Sequence, residues 1–168
     1  MTLNRRAFIA TATLGSGAAG LLGLRFLTAS EPAEAAGKFE ITRSDAEWKK
    51  RLTPAQYKVL RQAQTEYPGT SPLNKEHRAG IFSCAGCALP LFSSRTKFDS
   101  GTGWPSFWQP LPNAVATSTD RSLMSVRVEV HCRRCGGHLG HVFDDGPKPT
   151  GKRYCMNGVA MTFAPGKA

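Results

Sequence analysis

The chain has 168 residues and a formal net charge of +10, enough for one domain with a modest core. Its 22 basic residues against 12 acidic ones raise the question of an acidic partner such as nucleic acid. Beyond the N-terminal region, however, basic runs such as Lys49–Arg51 and Arg133–Arg134 are short and scattered, with no interleaved aromatic stripe. The charge reads as a soluble surface, and no nucleic-acid partner is expected.

Residues 1–35 do not read as part of the domain. Arg5 and Arg6 precede a stretch rich in Ala, Gly, Thr and Leu, and Ala33 and Ala35 form a small-residue cleavage site. That order is the order of a secretory signal. The adjacent arginines and the Gly-broken apolar run fit the twin-arginine type better than the Sec type. The mature protein is then exported to the periplasm, with no stable membrane insertion after cleavage. An uncleaved membrane anchor is the alternative, weakened by the Gly, Ser, Thr and Arg25 that dilute the run. Cleavage removes three arginines and two glutamates, leaving the mature chain nearly as basic.

Residues 36–43 are an extended lead-in, and the domain proper runs over 44–168. Ser44 and Glu47 form a capping box that starts a short helix. A second helix starts at Thr53, with Pro54 at the first helical position and Gln56 completing its box. Tyr57, Leu60 and Gln64 share a face there, and Pro68-Gly69 is the expected stop.

The remainder is β-rich. Met124 to His131 alternates, with Met124, Val126, Val128 and Val130 on one face and Ser125, Arg127, Glu129 and His131 on the other. That pattern predicts a half-buried strand. "LGHVFDD" and "RYCMNGVAMTF" are further strands, separated by the loop "GPKPTGK". Short strands with Gly/Pro turns after two helices predict a small antiparallel β domain.

Four of the five cysteines form two C-x-x-C knuckles, Cys84 with Cys87 and Cys132 with Cys135. Each knuckle brings two thiolates to one ion, and two knuckles complete a tetrahedral site. In an exported protein the alternative is a pair of disulfides. A twin-arginine signal favours metal, because that route carries proteins already folded. Zinc is the expected ion, with iron second. A four-thiolate site is coordinatively closed, and so structural.

The fifth cysteine, Cys155, needs its own explanation. Alternation puts Arg153, Cys155 and Asn157 on one strand face, and His141, Phe143 and Asp145 on one face of the preceding strand, with His138 close by. If "GPKPTGK" closes a hairpin, a thiol, a guanidinium, two histidines and a carboxylate converge. That grouping suits a nucleophile activated by its arginine neighbour and served by proton donors. Each part also has a plainer role: Cys155 as a small buried apolar residue, the histidines as extra metal ligands, and Asp145-Gly146-Pro147 as a turn.

"SGTGWPSF" (Ser100 to Phe107), "HLGHVFDDGPKPTG" (His138 to Gly151) and "RYCMN" (Arg153 to Asn157), set between two C-x-x-C knuckles, resemble the B-type methionine-R-sulfoxide reductases. The resemblance covers roughly residues 44 to 165. It implies a mainly β fold of two small antiparallel sheets with short N-terminal helices, stapled by one zinc on Cys84, Cys87, Cys132 and Cys135. It implies Cys155 as nucleophile, with His138, His141, Asp145, Arg153 and Asn157 as polar active-site residues. It implies Trp104 as the substrate-pocket tryptophan, with Phe107 also facing the pocket.

The implied reaction is reduction of the R epimer of methionine sulfoxide in oxidised proteins or peptides. Cys155 attacks the sulfoxide sulfur while His141, or failing that His138, supplies a proton; Asp145 orients that acid or a water. Arg153 and Asn157 hold and polarise the site, and Trp104 receives the substrate methyl. Many members of that family carry a second redox cysteine in the first motif, where this chain has Thr102. A thioredoxin-like or other external thiol is therefore the expected reductant, and a monomer the expected state. "GVAM" after Asn157 departs from the small polar residues usual there.

The competing class is a non-enzymatic zinc-ribbon-like binding module, which leaves Cys155 and Trp104 without a role. A thiol-disulfide oxidoreductase is a further alternative, but neither knuckle has the strand-then-helix context that chemistry needs.

Overall fold

Two capped helices lead into the β structure. The computed structural model describes residues 39–168, so the expected signal lies outside the described residues. Helix α1 spans Asp45–Arg51 and α2 spans Pro54–Gln62; the Ser44–Glu47 and Thr53–Gln56 capping boxes both form. Each cap contributes about 1 kcal/mol by satisfying otherwise unpaired helix N–H groups. The second helix ends earlier than Pro68-Gly69 would have it. Ala63 adopts a left-handed conformation, φ 51°, and turns the chain away. Gln64 therefore lies beyond the helix instead of on its face.

Among the described residues, nine strands form two antiparallel sheets. In the first, β1 (Gly80–Cys84) lies between β2 (Pro90–Ser93) and β9 (Met161–Pro165). The second runs in the order β3 (Lys97–Phe98), β4 (Ser106–Phe107), β8 (Arg153–Met156), β7 (His138–Phe143), β6 (Arg127–Cys132), β5 (Val115–Asp120). The "GPKPTGK" loop does close a hairpin between β7 and β8. The segment read as one strand, "RYCMNGVAMTF", is two strands in different sheets, separated by a single 3-10 turn over Gly158–Ala160.

The core lies between the sheets and under the helices. Phe92 stacks on Phe107 with ring centroids 4.3 Å apart, and Phe82 meets Phe107 edge-on at 5.0 Å. Trp48, Val59 and Leu60 bury the inner helix faces, each large apolar side chain contributing about 1.5–3 kcal/mol. Strand β6 departs from its predicted burial. Only Val130 of its apolar row is buried; Val128 is largely exposed, and Met124 and Val126 precede the strand and face water. The β5–β6 hairpin projects past the core, so none of the described residues covers the apolar row at that end.

Candidate active site

Strand register assembles the site around Cys155. On one side β7 places His141 opposite Cys155 and Phe143 opposite Arg153. On the other, β4 places Ser106 opposite Cys155. Directly opposed antiparallel residues share a face with Cβ atoms about 5 Å apart. Glu129 of β6 pairs with His141 and extends the same row. The row opens into a cavity of about 130 Å³ lined by Trp104, Arg127, His141, Phe143, Cys155 and Asn157. Gly140 is required beside it, because a Cβ there would lie 2.1 Å from the Cys155 carbonyl oxygen. A larger groove, about 640 Å³, runs along α2 and the Tyr67–Leu73 loop and contains none of those six residues.

Cys155 is half-buried, with Thr102 Oγ1 3.9 Å from its sulfur. The Thr102 hydroxyl belongs to a short chain through Ser100 Oγ (2.8 Å) to Ser106 Oγ (2.7 Å). Burial pushes the Cys155 thiol above its ordinary pKa, while Thr102, Arg153 and Ser106 pull it down without overcoming the burial. The neighbouring guanidinium therefore does not by itself leave a resting thiolate, as the sequence suggested it would. Asp145 also differs from expectation. Its carboxylate accepts from Arg153 Nε at 2.8 Å and Nη2 at 2.7 Å, and touches neither histidine. Asp145 follows the end of β7, alongside Arg153 on β8, which fixes that pairing. Arg153 lies over the Phe143 ring, 4.3 Å from its centroid.

The histidines have other carboxylate partners. His141 Nε2 is 2.8 Å from Asp120 Oδ2, and the same oxygen accepts from Arg127 Nη2 at 2.6 Å. Asp120 Oδ1 accepts from the backbone N–H and the hydroxyl of Ser122. His138 Nδ1 is 2.7 Å from Glu129 Oε1, and Ser118 donates to the other Glu129 oxygen at 2.6 Å. Hydrogen bonds from Ser122, then His141 and Arg127, hold Asp120 well below the usual carboxylate range. His138 beside Glu129 brings that carboxyl down to about 2. Burial lowers the His141 pKa, and the Asp120 bond opposes the shift. His138 Nε2 is buried without a hydrogen-bond partner among the described residues.

Asp120 and Glu129 were not singled out by sequence reasoning. The β6 alternation had put Arg127 and Glu129 on the correct polar face. Asp120 carried no signal, because "VATSTD" has no apolar periodicity to mark it as a strand.

Trp104, Asn157 and Phe107 have separate settings. Trp104 Nε1 donates to the Glu66 carbonyl at 3.1 Å. Asn157 is buried; its Oδ1 accepts from Glu66 N at 2.9 Å and its Nδ2 donates to the Leu139 carbonyl at 3.0 Å. The Glu66 carboxylate accepts from the backbone N–H of Gly158 and, at 3.0 Å, of Val159. One residue of the loop after α2 thus ties the tryptophan to the chain that follows Cys155. Phe107 does not face the cavity. It is fully buried against Phe82 and Phe92, because its neighbour Ser106 occupies the Cys155 face and the pleat sends Phe107 to the other.

The four knuckle cysteines meet behind the sheets, where Cys84 ends β1 and Cys132 ends β6. Their ligand atoms all lie within 4.8 Å of one another, with Cys84–Cys135 sulfurs 3.7 Å apart and Cys87–Cys132 sulfurs 3.5 Å apart. Four thiolates about 2.3 Å from one ion in a tetrahedron would be roughly 3.8 Å apart. A disulfide requires about 2.05 Å. The cluster fits a metal ion and is not a pair of disulfides. Gly136, at φ +66°, closes the second knuckle, and a Cβ there would strike the Phe39 ring at 2.3 Å.

Comparison with known proteins agrees with this arrangement. Residues 52–165 match the SelR domain family. A "Peptide methionine sulfoxide reductase MsrB" from Leifsonia xyli is 54% identical over 131 residues, covering 77% of this chain and 94% of the relative. The protein of the same name from Agrobacterium fabrum is 51% identical over 127 residues, 75% of this chain and 94% of its own. That of the archaeon Methanosarcina barkeri is 53% identical over 124 residues, 73% and 87%. With its four-cysteine cluster and a cysteine facing histidine in a tryptophan-lined cavity, the chain belongs to the SelR-domain, MsrB family.

Proposed function

We propose that this protein reduces the R epimer of methionine sulfoxide in oxidised peptides and proteins, with Cys155 as nucleophile. The observation that carries this reading is the placement of Cys155 opposite His141 in the cavity beside Trp104. With Nε2 committed to the Asp120 carboxylate, His141 Nδ1 is the nitrogen left for the substrate. The Cys155 proton passes to Nδ1, the thiolate attacks the sulfoxide sulfur, and the imidazolium protonates the sulfoxide oxygen. The oxygen leaves the sulfur–sulfur adduct as water, a water then attacks the Cys155 sulfur and breaks the S–S bond, methionine leaves, and Cys155 remains as a sulfenic acid. Arg153, clamped by Asp145, favours the thiolate as it forms. The face of Trp104 receives the substrate methyl, and Asn157 holds the strand end that presents Cys155.

Turnover of separated R and S sulfoxide epimers with dithiothreitol tests this. Reduction of the R epimer alone is expected; reduction of the S epimer alone, or of neither, overturns it. A non-enzymatic binding module is not favoured, since it needs neither the cavity nor the two carboxylate-held histidines.

Regeneration of Cys155 uses an external thiol. The chain has five cysteines, four of them in the metal cluster, and a threonine hydroxyl beside the fifth. The cluster is suited to zinc, held by Cys84, Cys87, Cys132 and Cys135, where the ion supplies a structural cross-link and no chemistry of the reaction. The active unit is a monomer over residues 44–168, exported by the twin-arginine route. Among the described residues no helix is long and apolar enough to cross a membrane. Export rests on Arg5, Arg6 and the Ala33/Ala35 site. Replacing both arginines by lysine is expected to retain folded protein in the cytoplasm, and undiminished export would reassign the signal to the Sec route.

A further inference from the structure

We propose that Met124 is a modification site whose R-sulfoxide is reduced in the active site of a second copy of this chain. The proposal rests on the reductase reading above. Met124 is 108% exposed, whereas Met156 is 0% and Met161 4% exposed. Among the described residues it is therefore the one thioether that a dissolved oxidant reaches without the fold opening. It sits between β5 and β6, where residues 121–126 form bends and no strand. Leu123 and Val126, 60% and 63% exposed, flank it. A protruding methionine among apolar side chains is the chemistry that a cavity lined by Trp104 and Phe143 accepts.

The geometry favours a second copy over the residue's own site. Asp120 and Arg127 stand at the base of the same hairpin and pair with each other at 2.6 Å. Asp120 holds His141, and Arg127 lines the cavity. Folding Met124 back into its own cavity would break the pair that keeps the proton donor in place. A second molecule presents the hairpin tip with both sites intact.

The steps balance. Hydrogen peroxide transfers one oxygen to the Met124 sulfur and leaves as water. In the partner copy the Cys155 sulfur bonds to that sulfoxide sulfur, the oxygen leaves as water, and a second water breaks the S–S bond, giving methionine and the Cys155 sulfenic acid. Two equivalents of an external thiol then return Cys155 to the thiol, forming one disulfide and one water.

The test uses the Cys155→Ser protein, oxidised with hydrogen peroxide and freed of it, as substrate for a catalytic amount of wild-type enzyme with dithiothreitol. Wild-type protein alkylated at Cys155 serves as a second substrate form, should the variant be poorly folded. Tryptic cleavage after Arg121 and Arg127 releases residues 122–127, on which a one-oxygen mass gain reports Met124. Peroxide is expected to add oxygen there before Met156 or Met161. Wild-type enzyme is expected to remove the gain from the R-configured share, leaving the S share untouched.

Oxidation of Met156 or Met161 as fast as Met124 would overturn the exposure argument. A mass gain that persists, while the same enzyme sample reduces an added short peptide R-sulfoxide, would overturn the proposal and leave the reductase reading intact. Failure to reduce either substrate would overturn the reductase reading itself.

Discussion

Cys155 and His141 have pKa values displaced in opposite directions by the same burial, the thiol upward and the imidazole downward. At neutral pH the resting pair is therefore thiol plus neutral imidazole. The thiolate–imidazolium pair that the proposed mechanism uses holds the same number of protons and is a minor tautomer of it. Consequently kcat/KM should be flat between the two pKa values, falling below the imidazole's and above the thiol's. Asp120 raises the His141 pKa, so Asp120→Asn lowers it further. The acid limb then moves to lower pH, and the plateau drops about tenfold for each unit of that move. Because Asp120 does not line the cavity, the loss should fall on kcat with KM little changed. An unaltered pH profile in Asp120→Asn would remove it as a positioning residue. Thr102 supports a second test. Wild-type enzyme given substrate without reductant should stop after one turnover, with Cys155 labelled by a sulfenic-acid probe. In Thr102→Cys the label should give way to a disulfide between the introduced thiol and Cys155. A disulfide between Cys155 and a knuckle cysteine in the wild type would contradict both the external reductant and the closed metal site.

At the scale of elements, the loop from Ala63 to Ser71 does the work that a longer α2 would have prevented. Leaving the helix at Ala63 brings Glu66 to Gly158, Val159, Trp104 and Asn157 at once. Glu66→Ala strands two N–H groups and should cost about 1–3 kcal/mol of stability. It should also raise KM more than it lowers kcat, since the loop whose Glu66 carbonyl holds Trp104 loses its carboxylate anchors on Gly158 and Val159, while Cys155 keeps its strand neighbours. Calorimetry and steady-state kinetics read the two effects separately, and an unchanged KM would detach the loop from substrate binding. This loop marks where the sequence stopped being legible. The capping boxes, the knuckles and the β7–β8 hairpin are written in short local patterns, and all formed. Ala63 has no residue-type signature for a left-handed stop, and Glu66 finds its partners 92 and 93 residues away. The same holds for Asp120, whose partner His141 lies across two strand pairings. Phe107 was misplaced because its motif likeness said nothing of pleat parity.

For the whole molecule, the cysteine cluster joins β1 of one sheet to β6 of the other, and a bound structural metal supplies roughly 10 kcal/mol or more of folding free energy. Cys84→Ser should release the metal and unfold the domain, read together by elemental analysis and circular dichroism. A folded, metal-free variant would refute the dependence. The passage of the chain from β8 to β9 has a further consequence, one of timing. Cys155 lies at the end of the larger sheet, and β9, which follows almost at once, is the strand that pairs β1 along its whole length from Gly80 to Cys84. The Asn157 N–H donates to the Leu139 carbonyl and the Met156 N–H to that of Pro105, so this junction is locked from both sides only after everything upstream is in place. During synthesis Cys155 thus follows Trp104, Arg127, His141 and Phe143, and of the cavity-lining residues Asn157 alone is made after it. A chain that stops short of β8 carries Trp104, both histidines and their carboxylates but no thiol for them to face.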